Sequence, residues 1–332
     1  MIESGQASWT DPTWLAEVHD WLVVVLAGRG KQITAAPQQI HVRPWSTVLR
    51  VPTNEGDVYF KAVAPGLGQE MAVTQALYRW RPDSIPQVLH ADSERSWLLL
   101  ADGGQRLREQ FQSGLAMSAW HDILAEYAAL QIDLAAHVDD LLTLGARDRR
   151  LARLPDLYET LLSETEWLLI DQPDGLTLDE YQRLQQAVPQ VAGLCERLAA
   201  YAIPESLHHN DLHDGNIFVK NGRLLFFDWG DSSIAHPFFS LRTAFVSMEN
   251  SFGLEENDPI FDEYAHAYLR PWSAYETAEN LWDVYQVAQR LWSLSSAIKY
   301  KTFMSLIEAA RAANPIAVPA LLKELLDANP DW

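Results

Sequence analysis

The stretch 207–230, LHHNDLHDGNIFVKNGRLLFFDWG, contains the polar residues around which the rest of the chain is organised. It places Asp211 and Asn216 before two short apolar runs and Asp228 after them. An Asn-Gly pair at 221 and 222 separates the runs, and such a pair predicts a tight β-hairpin because both turn residues tolerate positive φ. We therefore expect a small rigid hairpin with polar side chains at both ends, an arrangement that can hold a divalent cation and a phosphate.

The composition indicates a soluble protein with a sizeable core. At 332 residues and 48% hydrophobic residues, the chain suits one large or two medium domains. It has no run of about 18 apolar residues that could span a bilayer, and its beginning lacks the pattern of a secretory signal. Its one cysteine, Cys195, agrees with a reducing compartment. We expect a cytoplasmic protein with no membrane partner.

The net charge of −20 argues against nucleic acid as a partner, because phosphates would be repelled. It is compatible with a cationic small substrate, although acidic surfaces also serve solubility alone. Acidic residues gather between Glu255 and Glu263, and thirteen tryptophans offer rings that could bind an ammonium group.

The first hundred residues predict a small β-rich lobe. A helix begins near Thr10, and alternating β-branched residues from Gln38 onward predict a three-stranded antiparallel meander. Two more strands are expected around 87–89 and 97–100. The composition changes at 101–104, Ala-Asp-Gly-Gly, which we interpret as a hinge. The predicted N-terminal lobe is 1–101 and the predicted C-terminal lobe is 102–332.

A lysine and a glutamate in this lobe are predicted to pair. Lys61 lies inside the third strand, and the stretch 69–80 that follows has a helical period with Glu70 on its apolar face. A carboxylate in that position suggests an ion pair across the strand–helix interface, which would hold the ammonium where it can touch a phosphate.

The C-terminal lobe is predicted to be mainly helical. Its helical stretches before and after the central motif are 120–134, 151–169, 184–201, 238–248, 259–269, 277–299, 302–312 and 317–327.

The polar residues have the types that phosphoryl transfer requires: cations for the phosphates, a fixed nucleophile and exclusion of water. Magnesium prefers hard oxygen ligands and keeps several waters, so one carboxylate and one amide oxygen suffice. Asp228 and Asn216 can supply them. Asp211, five residues before Asn216, could accept the proton of a substrate hydroxyl.

Two motifs carry a family resemblance. His209-Asn210-Asp211 with Asn216 matches the His-x-Asp-x-x-x-x-Asn catalytic loop, and Asp-Trp-Gly at 228–230 occupies the place of the kinase Asp-Phe-Gly. With Lys61 and Glu70 upstream, residues of about 38–245 resemble the protein-kinase-like phosphotransferases of the aminoglycoside phosphotransferase and choline kinase group. The resemblance implies an α+β, two-lobed protein-kinase-like fold, with a five-stranded N-terminal sheet and a larger helical lobe.

The resemblance also implies roles. Lys61 would bind the α- and β-phosphates of ATP or GTP and Glu70 would position it. Asp211 would be the catalytic base or would orient the hydroxyl, while Asn216 and Asp228 would hold Mg²⁺. Backbone groups near 99–101 would take the nucleotide base.

Two positions differ from the family pattern, and Asp231 is a further candidate site residue. The phosphate-covering turn near 43–47 has no glycine, so Ser46 or a backbone amide would cap the phosphates. Ser240 stands where many relatives carry an aspartate that anchors the catalytic loop, so support of the loop is expected from elsewhere. Asp231 is a candidate substrate contact and equally a candidate surface or capping residue.

The sequence thus predicts transfer of a γ-phosphoryl group to a hydroxyl of a small molecule, expected to be a cationic one such as an aminoglycoside, amino sugar or amino alcohol. One alternative is a non-catalytic nucleotide-binding protein of the same fold. Another is a metal-dependent hydrolase that uses His209, Asp211 and His213, because imidazole and carboxylate suit zinc or iron.

Overall fold

The computed structural model describes residues 9–332, so the first eight residues of the predicted N-terminal lobe lie outside the described residues. The chain divides into two compact units. The first unit combines the residues up to Gln105 with Ile217–Gly230, and the second combines Arg106–Asn216 with Asp231–Trp332. The central stretch is therefore shared, with its catalytic-loop motif in the second unit and its hairpin in the first.

The described residues form a mixed α+β structure. The strands are β1 (Gln38–Arg43), β2 (Ser46–Thr53), β3 (Gly56–Val63), β4 (Val88–Asp92), β5 (Trp97–Ala101), β6 (Gln105–Arg106), β7 (Arg147–Asp148), β8 (Ser206–His208), β9 (Ile217–Lys220), β10 (Arg223–Phe226) and β11 (Ser233–Ala235). The α-helices are α1 (Pro12–Ala27), α2 (Gln69–Trp80), α3 (Leu107–Gln112), α4 (Trp120–Leu134), α5 (Val138–Thr143), α6 (Leu154–Ser163), α7 (Leu178–Gln186), α8 (Val188–Ala199), α9 (Ser240–Phe252), α10 (Ile260–Leu269), α11 (Ala278–Leu306), α12 (Glu308–Ala313) and α13 (Ala317–Asp327).

The first unit contains the predicted antiparallel sheet of five strands, in the order β1-β2-β3-β5-β4. Helix α1 begins where the sequence predicts, because the Asp11 carboxylate accepts hydrogen bonds from the Thr13 and Trp14 amides at 2.7 and 3.2 Å. Its face with Val18 and Leu22 packs in one core cluster with sheet residues such as Phe60. Removing these side chains from water holds the helix against the sheet.

The predicted hairpin is confirmed as β9 paired antiparallel with β10. Asn221 and Gly222 between the strands have φ of 52° and 76°, the positive values that a two-residue hairpin turn of this kind requires.

The second unit is mainly helical, and its helix boundaries depart from prediction at several places; the predicted stretch 151–169, for example, forms α6 only over Leu154–Ser163. The stretch 184–201 is not one helix, because α7 ends at Gln186 and α8 starts with a proline in its first turn, which cannot continue the preceding hydrogen-bond ladder. Helix α11 runs without the predicted break near 300 and ends at Leu306, because the backbone becomes extended at Ile307 (φ −132°, ψ 99°). No residue in 300–306 is a helix breaker, and Met304 still packs in the core.

A small sheet positions the catalytic-loop motif within the second unit. Strand β11 pairs in parallel with β7 and antiparallel with β8, and β8 leads directly into the loop at His209. Among the described residues no helix is long and apolar enough to cross a membrane.

Candidate active site

Lys61 lies at the centre of a charge cluster in the first unit. Its ammonium contacts a Glu70 carboxylate oxygen at 2.6 Å and an Asp228 carboxylate oxygen at 2.7 Å. Strand β3 presents the lysine and helix α2 presents the glutamate, so the ion pair predicted from the sequence is present. The side chain of Glu70 is 3% exposed and that of Asp228 is 45% exposed.

The cluster keeps the lysine charged. Burial alone would lower the pKa of Lys61, but the charges of Asp228 and Glu70 and their hydrogen bonds outweigh it, so the pKa lies above its ordinary value. The ammonium is therefore a fixed positive charge at neutral pH, held between one buried carboxylate and one exposed carboxylate.

Backbone geometry after the hairpin completes this cluster. Asp228 has a φ of 67°, in the left-handed region that few non-glycine residues occupy. Two residues later, a Cβ on Gly230 would lie 3.0 Å from a Glu70 carboxylate oxygen. The Gly230 carbonyl also accepts a hydrogen bond of 3.0 Å from the Gln69 side chain. A glycine at 230 thus lets the hairpin exit lie against the start of α2.

In the second unit, Asp211 and Asn216 are held together within one loop. The Asn216 amide nitrogen donates to the Asp211 carbonyl at 3.0 Å and to its carboxylate at 2.9 Å. The amide oxygen of Asn216 has no hydrogen-bond partner among the residues that the structure describes. That oxygen is the atom a hard cation would bind.

His213 orients the Asp211 carboxylate from the other side. Its Nδ1 accepts a hydrogen bond of 2.9 Å from the Gly215 amide, which places the proton of the neutral ring on Nε2. Nε2 lies 3.4 Å from a carboxylate oxygen of Asp211. His213 therefore contacts Asp211 with the nitrogen that can donate.

The surroundings of Asp211 favour its ionised form. Burial raises its pKa, but the hydrogen bond from His213 and the nearby positive charge of Lys299 contribute most to outweighing burial. The pKa of Asp211 consequently lies below its ordinary value of 3.8. The side chain is 42% exposed, so the carboxylate is both ionised and accessible.

Ser240 supports the loop directly, which corrects the expectation that its support must come from elsewhere. The Ser240 hydroxyl lies 2.8 Å from His208 Nδ1 and accepts a hydrogen bond of 3.2 Å from the Gln131 side chain. Gln131 also donates to the Leu207 carbonyl at 3.0 Å, and the Tyr127 hydroxyl accepts from the His209 amide at 3.1 Å. In the sequence, the only sign of this role is that Gln131 is a polar residue on the apolar face of α4.

The start of the loop is anchored by a second buried network, around Asn210. Its side chain donates to the Asp231 carbonyl at 3.0 Å and to the Ser233 hydroxyl at 2.8 Å. Arg149, which is 2% exposed, lies with a guanidinium nitrogen 3.4 Å from the Asn210 amide oxygen. Burial and, to a smaller extent, the charge of Arg147 lower the pKa of Arg149 against the opposing charge of Asp231, and together they bring it to about 9.

The Asp231 carbonyl thus holds the Asn210 side chain, and the charge of Asp231 favours the protonated form of Arg149. The suggested substrate contact of Asp231 stays a prediction.

Ser46, the predicted phosphate cap, is the first residue of β2 and is 7% exposed. The predicted base-binding segment, 99–101, is the end of β5, paired with β3.

A cavity of about 450 Å³ lies in the second unit beside the catalytic-loop motif. Asp211 and His213 line it, together with residues of α3, α9, α11 and α13. The cavity was not predicted from the sequence, because its walls come from segments up to about two hundred residues apart.

The residues described contain no group of three or more His, Cys, Asp or Glu side chains that could hold a metal ion. His209 is fully buried. The hydrolase alternative with His209, Asp211 and His213 therefore lacks its ligand set.

Sequence comparison decides the family. A family model described as the phosphotransferase enzyme family matches residues 39–281. The chain belongs to this family. It is a small-molecule phosphotransferase with a hydroxyl group as acceptor, and the resemblance seen in the sequence is confirmed. No curated protein sequence matches the chain significantly.

Solved structures show that this phosphotransferase has the protein-kinase-like fold. A choline/ethanolamine kinase family protein from Mesorhizobium loti is 16% identical, with a TM-score of 0.59 over 95% of this chain and 96% of the other. The complex of APH(2″)-IIIa with GDP and kanamycin is 16% identical, with a TM-score of 0.58 over 95% and 99% of the two chains. The choline kinase LicA from Streptococcus pneumoniae is 12% identical, with a TM-score of 0.58 over 96% and 100%.

Proposed function

We propose that this phosphotransferase moves the terminal phosphoryl group of ATP or GTP, with Mg²⁺, to a hydroxyl group that binds in the 450 Å³ cavity. The observation that carries the proposal is Asp211, an ionised carboxylate held by Asn216 and His213 at the cavity wall.

Asp211 would act on the acceptor. A carboxylate at this position can accept a hydrogen bond from the hydroxyl and take its proton as the oxygen attacks the γ-phosphorus. A bond forms between the acceptor oxygen and the γ-phosphorus, the bond from that phosphorus to the β-bridging oxygen breaks, and a nucleoside diphosphate leaves. Because the pKa of Asp211 is low, the carboxylate is ready to accept a hydrogen bond at neutral pH.

Lys61 would act on the nucleotide. Its fixed charge between Glu70 and Asp228 suits the α- and β-phosphates, and Glu70 would position it. Since Ser46 is largely buried, backbone amides of the 43–47 turn are the better candidates to cap phosphates, with Ser46 beside them. Backbone groups of 99–101 would take the base. We thus assign nucleotide covering to the lobe 1–101 and acceptor binding to the lobe 102–332.

Asn216 and Asp228 are the proposed metal ligands. The unpartnered amide oxygen of Asn216 and the half-exposed carboxylate of Asp228 fit a hard cation, which when bound would neutralise phosphate charge.

Replacing Asp211 by asparagine tests the proposal. Asp211→Asn should lower the turnover number about 10²–10⁴-fold, while Mg²⁺–nucleotide affinity changes little, since the carboxylate acts on the hydroxyl. Asp179→Asn, at an exposed position in the first turn of α7, is the control and should keep full turnover. Full turnover in the Asp211 variant would refute the role. Nucleotide binding without any transfer in the unmodified protein would favour the non-catalytic alternative.

The charge of the acceptor depends on the side chains around it. The net charge and the acidic patch 255–263 led to the expectation of a cationic acceptor. In the structure, Glu256 of this patch pairs with Arg242 at 2.9 Å, and no residue of the patch lines the cavity. The charge of the acceptor must therefore be inferred from the side chains that do line the cavity.

A further inference from the structure

The charged side chains that line the cavity are mostly cations. Arg108 and Lys299 both line it, and Asp211 is the one carboxylate among its described lining residues. If Asp211 faces the reacting hydroxyl, as the proposed function requires, no carboxylate of the cavity wall is left for an ammonium group on the acceptor. This inference therefore rests on the proposed function and names its substrate class.

Lys299 is not neutralised by a carboxylate partner of its own. Its ammonium donates a hydrogen bond of 3.1 Å to the Asn210 carbonyl, and no carboxylate lies within ion-pair distance of it in the part of the chain that the structure describes. Its charge acts on Asp211, whose pKa it helps to lower.

Arg108 pairs with the buried Asp214 through Nε at 2.8 Å and Nη2 at 2.7 Å. Its Nη1 has no hydrogen bond within the described residues and can serve a ligand. The guanidinium side chain is 49% exposed.

The aromatic rings of the cavity already contact cations of the protein. The Lys299 ammonium lies 4.3 Å from the ring centroid of Tyr300, and the Arg242 guanidinium lies 5.9 Å from that of Trp292. A cation on a ring face satisfies the attraction that would otherwise recruit an ammonium group from the substrate. A second cation nearby would also be repelled by the first.

We propose that the acceptor of this phosphotransferase carries an anionic group, a carboxylate or a phosphate, beside its reacting hydroxyl. Lys299 and Nη1 of Arg108 bind that group by charge-assisted hydrogen bonds, and Asp211 receives the hydroxyl. The two cations offset the repulsion between the anionic group and the Asp211 carboxylate. A polycationic acceptor would instead meet the Lys299 ammonium, which no carboxylate of the described residues pairs with, and the donor edge of the Arg108 guanidinium.

A set of sugars with one hexose skeleton tests the proposal: glucose (neutral), glucuronate (carboxylate), glucose 6-phosphate (phosphate) and glucosamine (ammonium). Their binding to the full chain is measured by calorimetry, with and without Mg²⁺–nucleotide, alongside nucleotide turnover. We expect glucuronate or glucose 6-phosphate to bind at least about tenfold more tightly than glucose, and glucosamine more weakly than glucose. The stronger of the two anions identifies the anionic group.

Variants at two neighbouring lysines of α11 show where the preference arises. The Lys299→Gln variant should bind the anionic sugar about tenfold more weakly and so lose its preference over glucose. The Lys299→Glu variant should reverse the preference in favour of glucosamine. Lys301→Gln is the matched control, because Lys301 pairs with Glu164 at 2.5 Å and does not line the cavity. It should keep the unmodified preference.

Several outcomes would overturn the proposal: equal or absent binding of both anions, tighter binding of glucosamine, or a Lys299→Gln variant that weakens nucleotide binding instead of anion binding. Mg²⁺–nucleotide binding, measured in the same samples, distinguishes a failure of the proposed function from a failure of the proposed acceptor class. A protein that binds no nucleotide refutes the proposed function, whereas nucleotide binding without anion preference refutes only the acceptor class.

Discussion

At the scale of single residues, Lys61 shows how burial and charge compete. A lysine in a strand is usually an exposed edge residue, and burial disfavours its charged form. Here Glu70 and Asp228 reverse that effect, and one of them is itself buried. The ion pair is therefore a poor source of stability but a precise way to fix a positive charge.

The pair can be tested by a substitution that keeps its shape. Glu70→Gln removes the charge from a side chain that is 3% exposed, so the free energy of unfolding should fall by about 1–3 kcal/mol. The KM for nucleotide should rise, because Lys61 loses one of its two anchors. Denaturant unfolding and steady-state kinetics measure the two effects.

Glu55→Gln is the matched control for that experiment. Glu55 also pairs with a lysine, Lys31, at 2.5 Å, but its side chain is 59% exposed. Its loss should change the free energy of unfolding by less than about 0.5 kcal/mol. Equal effects of the two substitutions would contradict the difference in burial.

At the scale of elements, most features that the sequence predicts depend on neighbouring residues. The hairpin turn, the start of α1 and the bounds of α2 follow from residues within a few positions of one another. The split between α7 and α8 follows from the proline in the first turn of α8, a local signal that the prediction of one helix over 184–201 leaves out. The length of α11 depends in part on the packing of residues such as Met304 in the core, which the sequence does not display.

The hairpin turn gives a prediction with an internal control. Gly222→Ala should lower the free energy of unfolding by about 1–2 kcal/mol, because alanine is strained at a φ of 76°. Gly193→Ala, within α8, should raise it by about 0.5–1 kcal/mol through helix propensity. In both glycines an added Cβ would meet nothing within 4 Å, so packing plays no part. The same sign for both substitutions, in thermal or denaturant unfolding, would contradict the turn geometry.

The catalytic loop illustrates what sequence reasoning misses in a site. Asp211, His213 and Asn216 can be recognised from the sequence because they lie within six positions. Gln131 and Ser240 were not recognised as supports, since they meet the loop only after α4 and α9 have packed.

Ser240→Ala measures that support. The substitution leaves His208 and Gln131 without a shared buried partner, which should cost about 1–3 kcal/mol of folding free energy. Because Ser240 positions the loop and does not line the cavity, kcat should fall while the KM for the acceptor stays nearly constant. Ser305→Ala, at an exposed hydroxyl in α11, should alter neither quantity. A change in KM with constant kcat would show that Ser240 affects binding instead.

At the scale of the whole molecule, net charge was a poor guide to the site. The charge of −20 is spread over the chain, whereas the cavity wall carries two cations and one carboxylate. A ligand in a cavity responds to the charges within a few ångströms, because water and salt screen those farther away. The overall charge therefore informs solubility and the exclusion of nucleic acid more than the acceptor.

The stability of the molecule should depend on pH through two histidines that are buried in their neutral form. Burial lowers the pKa of His236 to about 3 and, together with the charge of Arg149, lowers that of His208 well below its ordinary value of 6.5. Below pH 6.5 the unfolded chain binds protons at these positions and the folded chain does not. The free energy of unfolding therefore has its full contribution from the neutral rings above pH 6.5. This contribution is lost as the pH falls toward 3.

His236→Gln tests this dependence through the slope of the free energy of unfolding against pH. A variant that is less stable at every pH therefore remains informative. Each buried histidine should lower the free energy of unfolding by about 1.4 kcal/mol per pH unit below pH 6.5. Between pH 6.5 and 5, above the range in which most carboxylates titrate, the variant should show a slope shallower by that amount in urea unfolding. His19→Gln, at an exposed position of α1, should keep the unmodified slope. An unchanged slope in His236→Gln would mean that His236 becomes protonated within the folded protein, which its full burial and its acceptance of the Phe238 amide at Nδ1 argue against.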